Sequence, residues 1–321
     1  MTARLIETLF APAFRNPYLE PLADGAVVTI GSERIAFTTD TFVVKPIFFP
    51  GGDIGSLAVH GTVNDLAMCG AEPLFLSAGY VLEEGFPMRD LERVVASMAE
   101  ACARTGVLLV TGDTKVVDRG KGDGIYVNTS GIGRVREGVS VGPNRAAVGD
   151  VVIVSGPVGD HGIAVMAARE GIDFETSLVS DSAPVLAPVR ALLDVAPDTH
   201  VLRDPTRGGL ATALCEIALS SNVGIRLEEA EIPVRDEVRG ACELLGFDPL
   251  YVACEGRFLA IVPGVRAEAA LAAIRSQPGG MSARRIGSVV ADDPGRLVLH
   301  TCIGSQRLLE RLSGEQLPRI C

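Results

Sequence analysis

The sequence has no tryptophan, and aromatic residues make up only 5% of its 321 positions. Its core must therefore come from Val, Leu, Ile and Ala, within an apolar fraction of 47% and with 36 glycines to turn the chain, a composition that favours an α/β protein. Basic clusters are missing too. With a net charge of −11, a phosphodiester backbone would meet a repulsive surface, which excludes nucleic acid as a partner. No stretch approaches the roughly 20 apolar residues of a membrane span, and the opening MTARLIETLFAPAFRNPYLE lacks the apolar segment of a signal peptide. No membrane association and a cytoplasmic location are expected. There is no GxxxxGK[ST] and no GxGxxG after the first strand, so neither a P-loop nor a dinucleotide fold is supported. The seven cysteines show no CxxC or CxxH spacing and are odd in number, which argues against a disulfide framework or a zinc knuckle. Cys102, Cys215 and Cys242 fall in helical apolar patterns and should pack as small hydrophobes. Cys321 stands apart as the last residue.

What is present divides into two αβ halves of roughly 150 residues each. Residues 24–31 and 33–40 alternate as paired strands around a Gly31-Ser32 turn. Residues 54–70 read as a helix, 74–82 as a strand, 88–104 as a helix after Pro87, 107–112 as a buried strand, and 124–135 as a further strand. The pattern restarts at VVIVSGP, placing a boundary near residue 149. Helices follow near 160–170, 182–195, 207–220, 234–245 and 265–276. An N-terminal domain over 1–149, a second α/β domain over 150–300 and a tail over 301–321 are expected, in an α+β sandwich class.

Carboxylates at the ends of apolar strands are the first chemical signal, because strand termini are where α/β proteins expose ligand groups. Asp40 in FTTD, Asp65 in TVNDLAMCGAEP, Asp113 in VTGDTK and Asp204 in RDPTRGG form this set, with Asp24 in DGAVV as a weaker fifth. Each alone is a common turn or cap residue. Together these hard oxygen ligands suit Mg²⁺ bridging nucleotide phosphates. The glycines of TGDTK (Gly112), SGPVGDHG (Gly156, Gly159, Gly162) and TRGG (Gly208, Gly209) would permit close backbone approach to phosphate. The four histidines, 60, 161, 200 and 300, are too dispersed for a metal set, though His161 could contact phosphate.

The segments FTTDTFVVKPIFFPGGDIG, GTVNDLAMCGAEP, VTGDTKVV, SGPVGDHG, RDPTRGG and the terminal LPRIC resemble, in order, those of the HypE hydrogenase-maturation family. The resemblance spans nearly the whole chain. Its shared parts are similar to the wider aminoimidazole ribonucleotide synthetase and selenophosphate synthetase superfamily, whereas the PRIC ending belongs to the HypE branch. It implies two domains of the aminoimidazole ribonucleotide synthetase type, a homodimer whose N-terminal strands form a β-barrel, and ATP with Mg²⁺ as cofactors. The expected ATP contacts are Asp40, Asn64, Asp65, Gly112, Asp113 and Thr114, and the expected metal ligands Asp24, Asp40, Asp65, Asp113 and Asp204; Arg207 in TRGG is either a further phosphate contact or an ordinary helix-terminal salt bridge. Such chains usually open with a glycine-rich HGSGG-type segment expected to close over the nucleotide. The present sequence begins at MTARLIETLF, so an open or weaker ATP site is expected.

The activity so implied is dehydration of a carbamoyl group carried on Cys321. The carbamoyl oxygen attacks the γ-phosphate of ATP to give an iminophosphate, and base-assisted loss of phosphate leaves a thiocyanate. Lys115 would help to stabilise the transferring phosphoryl group, and Glu255 in ACEGRF is the implied base. A structural Lys115–Glu255 ion pair is the plainer alternative. The terminal carboxylate should disfavour the Cys321 thiolate, with Arg319 partly offsetting it. Up to 22 residues after Leu299 would span at most roughly 70 Å, so reach does not limit a mobile tail. By resemblance the partners are the carbamoyltransferase HypF and the HypC–HypD complex, with cyanide destined for the iron of [NiFe] hydrogenase. Two other readings predict different behaviour: a small-molecule synthetase would be indifferent to loss of Cys321, and a non-catalytic cysteine carrier would consume no ATP.

Overall fold

The computed structural model describes residues 5–172, 178–312 and 319–321. A hairpin of β1 (Ala26–Ile30) and β2 (Glu33–Phe42) turns at Gly31, whose φ of +63° suits glycine. A short ladder of β3 (Phe48–Phe49) and β4 (Gly52–Asp53) leads into α1 (Ile54–Met68). The Asp53 carboxylate accepts hydrogen bonds from the Gly55 and Ser56 amides at the start of α1, which fixes where that helix begins. Almost every residue of α1 is buried, and its buried polar members Ser56, His60, Thr62 and Asn64 each have a hydrogen-bond partner. Its one acidic residue, Asp65, therefore needs a reason other than solubility.

β5 (Ala71–Glu83), α2 (Met88–Thr105), β6 (Leu108–Val117) and β7 (Ile125–Val135) complete a first sheet ordered β1-β2-β7-β5-β6, in which only β5 and β6 run parallel. One face of β7 is buried by Ile125, Val127, Thr129 and Val135 against the helices, following the period of two. The second sheet begins at β8 (Val151–Val154) and adds α3 (Asp160–Glu170), α4 (Leu186–Val195), β9 (Val201–Arg203), α5 (Gly209–Ser221), β10 (Gly224–Glu228), α6 (Asp236–Leu245), β11 (Leu259–Val262), α7 (Ala267–Arg275), β12 (Arg284–Val290), β13 (Leu297–His300) and β14 (Gln306–Leu309). Its order is β14-β13-β10-β12-β8-β11-β9. Val152 and Val154 face α5, whereas Val151 and Ile153 face α4 and α7, so this central strand is apolar at every position.

Two expectations change. The strand read over 107–112 as buried is β6, and it is exposed along nearly its whole length, with Leu108, Val110 and Val116 at 62%, 59% and 66%. An apolar run suits burial, but it does not by itself place other residues of the chain over the strand. The segment expected to be tail from residue 301 contains β14, which pairs with β13 and buries Leu309 in the second core. Residues 313–318, where the mobile arm was expected, lie outside the described residues.

Candidate active site

Asp24, Asp65 and Asp204 converge between the two sheets, each offering a carboxylate oxygen within 4.8 Å of the others. They reach this point from a loop before β1, from the buried helix α1, and from the turn after β9. The strand-end rule holds for Asp204 and for Asp40 near the end of β2. It fails for Asp65, whose signal was its isolation in an apolar helix. Burial, and then the neighbouring carboxylates, hold Asp65 and Asp204 well above the usual carboxylate range. For Asp204 the largest such neighbour is Asp24. Asp24 is raised to about 6, by burial first, although Arg203 Nε lies 3.0 Å from its Oδ1 and opposes the rise. The Thr38 hydroxyl donates at 2.8 Å to Asp65 Oδ2. Asp40 is raised by burial and is close enough to Asp24, Asp65 and Asp204 to raise each of them.

Beside the acid cluster lies the end of the chain. Cys321 is half-buried, with its sulfur 3.6 Å from Arg207 Nη2. Its thiol is pushed up to about 12 by burial and then by Glu255, with Arg207 opposing. The expected compensating cation was Arg319, but that side chain turns away to Asp123. Glu255 is 4% exposed, and its Oε1 has no hydrogen-bond partner among the described residues. Burial, then the Asp204, Asp40 and Asp181 carboxylates, raise it well above its usual range. Its main chain is clamped: the Glu255 amide donates to Asp181 Oδ1 at 3.1 Å, and its carbonyl accepts from Asn64 Nδ2 at 3.2 Å. Asn64 also donates to the Ala183 carbonyl and accepts from the Val185 amide. Within the chain, Asn64, expected as a nucleotide ligand, acts as a staple that positions the Glu255 main chain.

Gly112, Asp113, Thr114 and Lys115 are not brought to this site within the chain. The pairings Thr41↔Asn128, Asn128↔Gly79 and Gly79↔Asp113 put Asp113 three strands from Asp40, about 14 Å at ordinary strand spacing. Lys115 Nζ lies 2.6 Å from Asp113 Oδ2, so the alternative Lys115–Glu255 pair does not form within the chain. Asp113 is absent from the carboxylate cluster for the same reason. The glycines also differ from expectation. A Cβ on Gly209 would lie 2.7 Å from the Leu250 carbonyl oxygen and 2.8 Å from that of Val252, so its close approach is to protein backbone. Both nitrogens of His161, expected as a phosphate contact, are engaged by Ser180 and Ile320.

Residues 22–135 match the AIR synthase related protein N-terminal domain family, and residues 147–300 match the corresponding C-terminal domain family. The carbamoyl dehydratase HypE of Azotobacter vinelandii is 52% identical, covering 99% of this chain and 93% of that protein. A solved HypE–HypF complex superposes with a TM-score of 0.92 at 47% identity, covering 96% of this chain and 99% of the matched one. A solved structure of HypE with ATP superposes at 0.87 and 50%, covering 100% and 96%. The chain belongs to the HypE family.

Several residues of this HypE-family site were not singled out in the sequence. Arg203 carries the one cation against Asp24 and also meets Glu216 at 3.2 Å, so it neutralises part of the acid cluster. Asp181 accepts from the Glu255 amide while its side chain is fully buried near Arg257. Their signals were local and weak: an arginine adjoining a candidate ligand in RDPTRGG, and an acid in the polar run SDS. Contact between 181 and 255 is a product of the fold.

Proposed function

We propose that this chain uses ATP to dehydrate a thiocarbamate on Cys321 to a thiocyanate, with Glu255 as the base, and so supplies cyanide ligands for the iron of [NiFe] hydrogenase. The observation that carries this reading is the seating of the terminal sulfur against Arg207 and buried Glu255, beside the acid cluster. A carboxylate whose pKa is raised by burial is a stronger base once ionised, which suits removal of a proton from the carbamoyl nitrogen. Arg207 would set positive charge beside the phosphoryl group as it passes to the carbamoyl oxygen, and again beside that oxygen when it leaves with phosphate. The same burial keeps the free thiol protonated in the docked position, so loading of Cys321 by the carbamoyltransferase HypF belongs to an undocked tail. By the family resemblance, the cyanide would then be delivered to a HypC–HypD complex.

The donor set fits Mg²⁺. Three mutually repelling carboxylates, each raised in pKa, present hard oxygens in one place, and Asp24, Asp65 and Asp204 would hold the ion with Asp40 beside them. When bound with nucleotide, the ion would offset charge on the phosphates.

We further assign the working form as a homodimer. Phe37, Ile132, Phe75 and Leu108 are cross-strand neighbours in register and form an apolar row, 47%, 41%, 41% and 62% exposed, that ends on open edge strand β6. A partner's first sheet laid on this row would close a barrel and bring that partner's Asp113 and Lys115 toward the acid cluster. ATP use and seven free cysteines suit the cytoplasm.

The test is to carbamoylate the full chain with HypF, add Mg·ATP, and follow the mass of the C-terminal peptide. Loss of one water at Cys321 together with ADP release is the expected result. A carbamoyl mass that persists on a competent, ATP-binding chain would leave only the carrier reading.

A further inference from the structure

The last three residues are each held by a contact to a main-chain oxygen. The Val43 amide donates to an oxygen of the Cys321 terminal carboxylate at 3.0 Å and the Lys45 amide to the Arg319 carbonyl at 3.2 Å, the alternating pattern of an antiparallel strand added beyond β2. His161 Nε2 donates to the Ile320 carbonyl at 2.9 Å. Because that carbonyl can only accept, the neutral ring carries its proton on Nε2, and the Ser180 hydroxyl donates to Nδ1. Arg169 Nη2 reaches the Arg319 carbonyl at 2.6 Å, while its Nε donates to the Lys45 carbonyl at 2.8 Å and braces the receiving segment.

Side chains add selectivity. Ile320 is 5% exposed and packs in the core cluster that contains Phe42, Val44 and Phe49. Arg319 Nε donates to the Val43 carbonyl at 3.0 Å, and its Nη1 pairs with Asp123. The Lys45 ammonium lies 3.1 Å from the same carboxylate. Asp123 sits in the loop between β6 and β7, where the Glu83 carboxylate accepts from the Gly120 and Gly124 amides and holds the loop in shape without the tail. Arg319 adopts φ of +54°, an unfavourable conformation for a residue with a Cβ, so its side-chain contacts must outweigh that cost.

We propose that residues 43–45 with Asp123, His161 and Arg169 form a receptor for the C-terminal tripeptide, in which Asp123 is the residue that selects arginine two positions before the reactive cysteine. The proposal deepens the dehydratase reading and rests on it for the cysteine's role. A guanidinium can serve the Val43 carbonyl and the Asp123 carboxylate at once from its fixed fork, which an ammonium cannot. Hydrogen bonds to main chain place Cys321, and the Arg319–Asp123 pair fixes the register that puts its sulfur beside Glu255.

The test is a charge swap in the full-length chain: Arg319→Glu, Asp123→Arg and the double variant, each treated with iodoacetamide with and without Mg·ATP. The readout is alkylation of Cys321 relative to exposed Cys302 on the same molecule, which needs neither carbamoylation nor turnover. Each single variant should raise the ratio roughly tenfold, as the docked population falls when a charge-assisted pair becomes a repulsion, and the double variant should recover part of the protection, because its restored pair lacks the donor to the Val43 carbonyl and stands beside Lys45. Single variants as protected as the native chain, or a double variant as reactive as the singles, would overturn the proposal. Should the swap behave as expected while the carbamoylated native chain loses no water, docking stands and the dehydratase reading fails. Water loss by the native chain with no response to the swap rejects only the receptor.

Discussion

The acid cluster and strand β6 carry the same kinds of residue in opposite settings. Asp24, Asp65 and Asp204 are gathered by three separate elements into a site where burial raises every one of them. Asp113 and Lys115 stand on an exposed edge strand, where Lys115 and the Thr114 amide lower Asp113 instead. The first arrangement is costly for the chain to maintain unless a cation or substrate offsets it, whereas the second costs the chain little. In the proposed homodimer these two settings would be two halves of one site, one built within a subunit and the other presented on its partner's surface.

The largest effect is expected from Glu255→Gln, which removes the proposed base while keeping its shape. Dehydration of carbamoylated Cys321 should fall about 10²- to 10⁴-fold by single-turnover mass analysis, with Cys321 still protected from alkylation. Lys115→Ala should cost about 10²-fold if its ammonium faces the partner's site. Mixing Lys115→Ala with Glu255→Gln subunits sharpens the point. If the two residues serve one site from different subunits, an equal mixture should recover about one quarter of native activity by random pairing, and none if they act within one chain.

The smallest effect is on stability. In the free protein Asp24 titrates near pH 6 and Asp65 and Asp204 are shifted in the same direction, so the folded chain holds protons that the unfolded chain has released. Raised carboxylate pKa values therefore make stability fall as pH rises from about 4 through the folded values. A bound cation removes that penalty and displaces the protons. The rise in melting temperature given by Mg²⁺ with a non-hydrolysable ATP analogue should be about 2 °C larger at pH 8 than at pH 6, by scanning fluorimetry. An equal or smaller rise at pH 8 would detach the three carboxylates from metal binding.

Element positions were legible wherever a period was clear. The helix expected over 88–104 is observed as Met88–Thr105, ended by Gly106 with φ of +75°, and the hairpin at Gly31 forms as its turn chemistry indicates. Cys102, Cys215 and Cys242 pack in cores, as their apolar patterns implied. The exposure of β6 was not legible, because LLVTGDTKVV has the composition of a buried strand and nothing local to it says whether other residues of the chain will pack over it. The partners of Asn64 were not legible either, because nothing local to TVNDLAM says that its amide will join the backbone at residues 183, 185 and 255.

Local sequence by itself determined the strands and helices, the two-part αβ organisation, the candidate carboxylates and the distinctive terminal cysteine. These depend on side-chain period, turn chemistry and residue type, all of which act over a few positions. Only tertiary structure decided that residues 24, 65 and 204 share one centre, that 113 and 115 do not join it within the chain, and that 123, 161 and 169 grip the tail. Electrostatic and hydrogen-bond energies fall off within a few ångströms, and sequence separations of 40 to 200 residues carry no information about which groups will be that close.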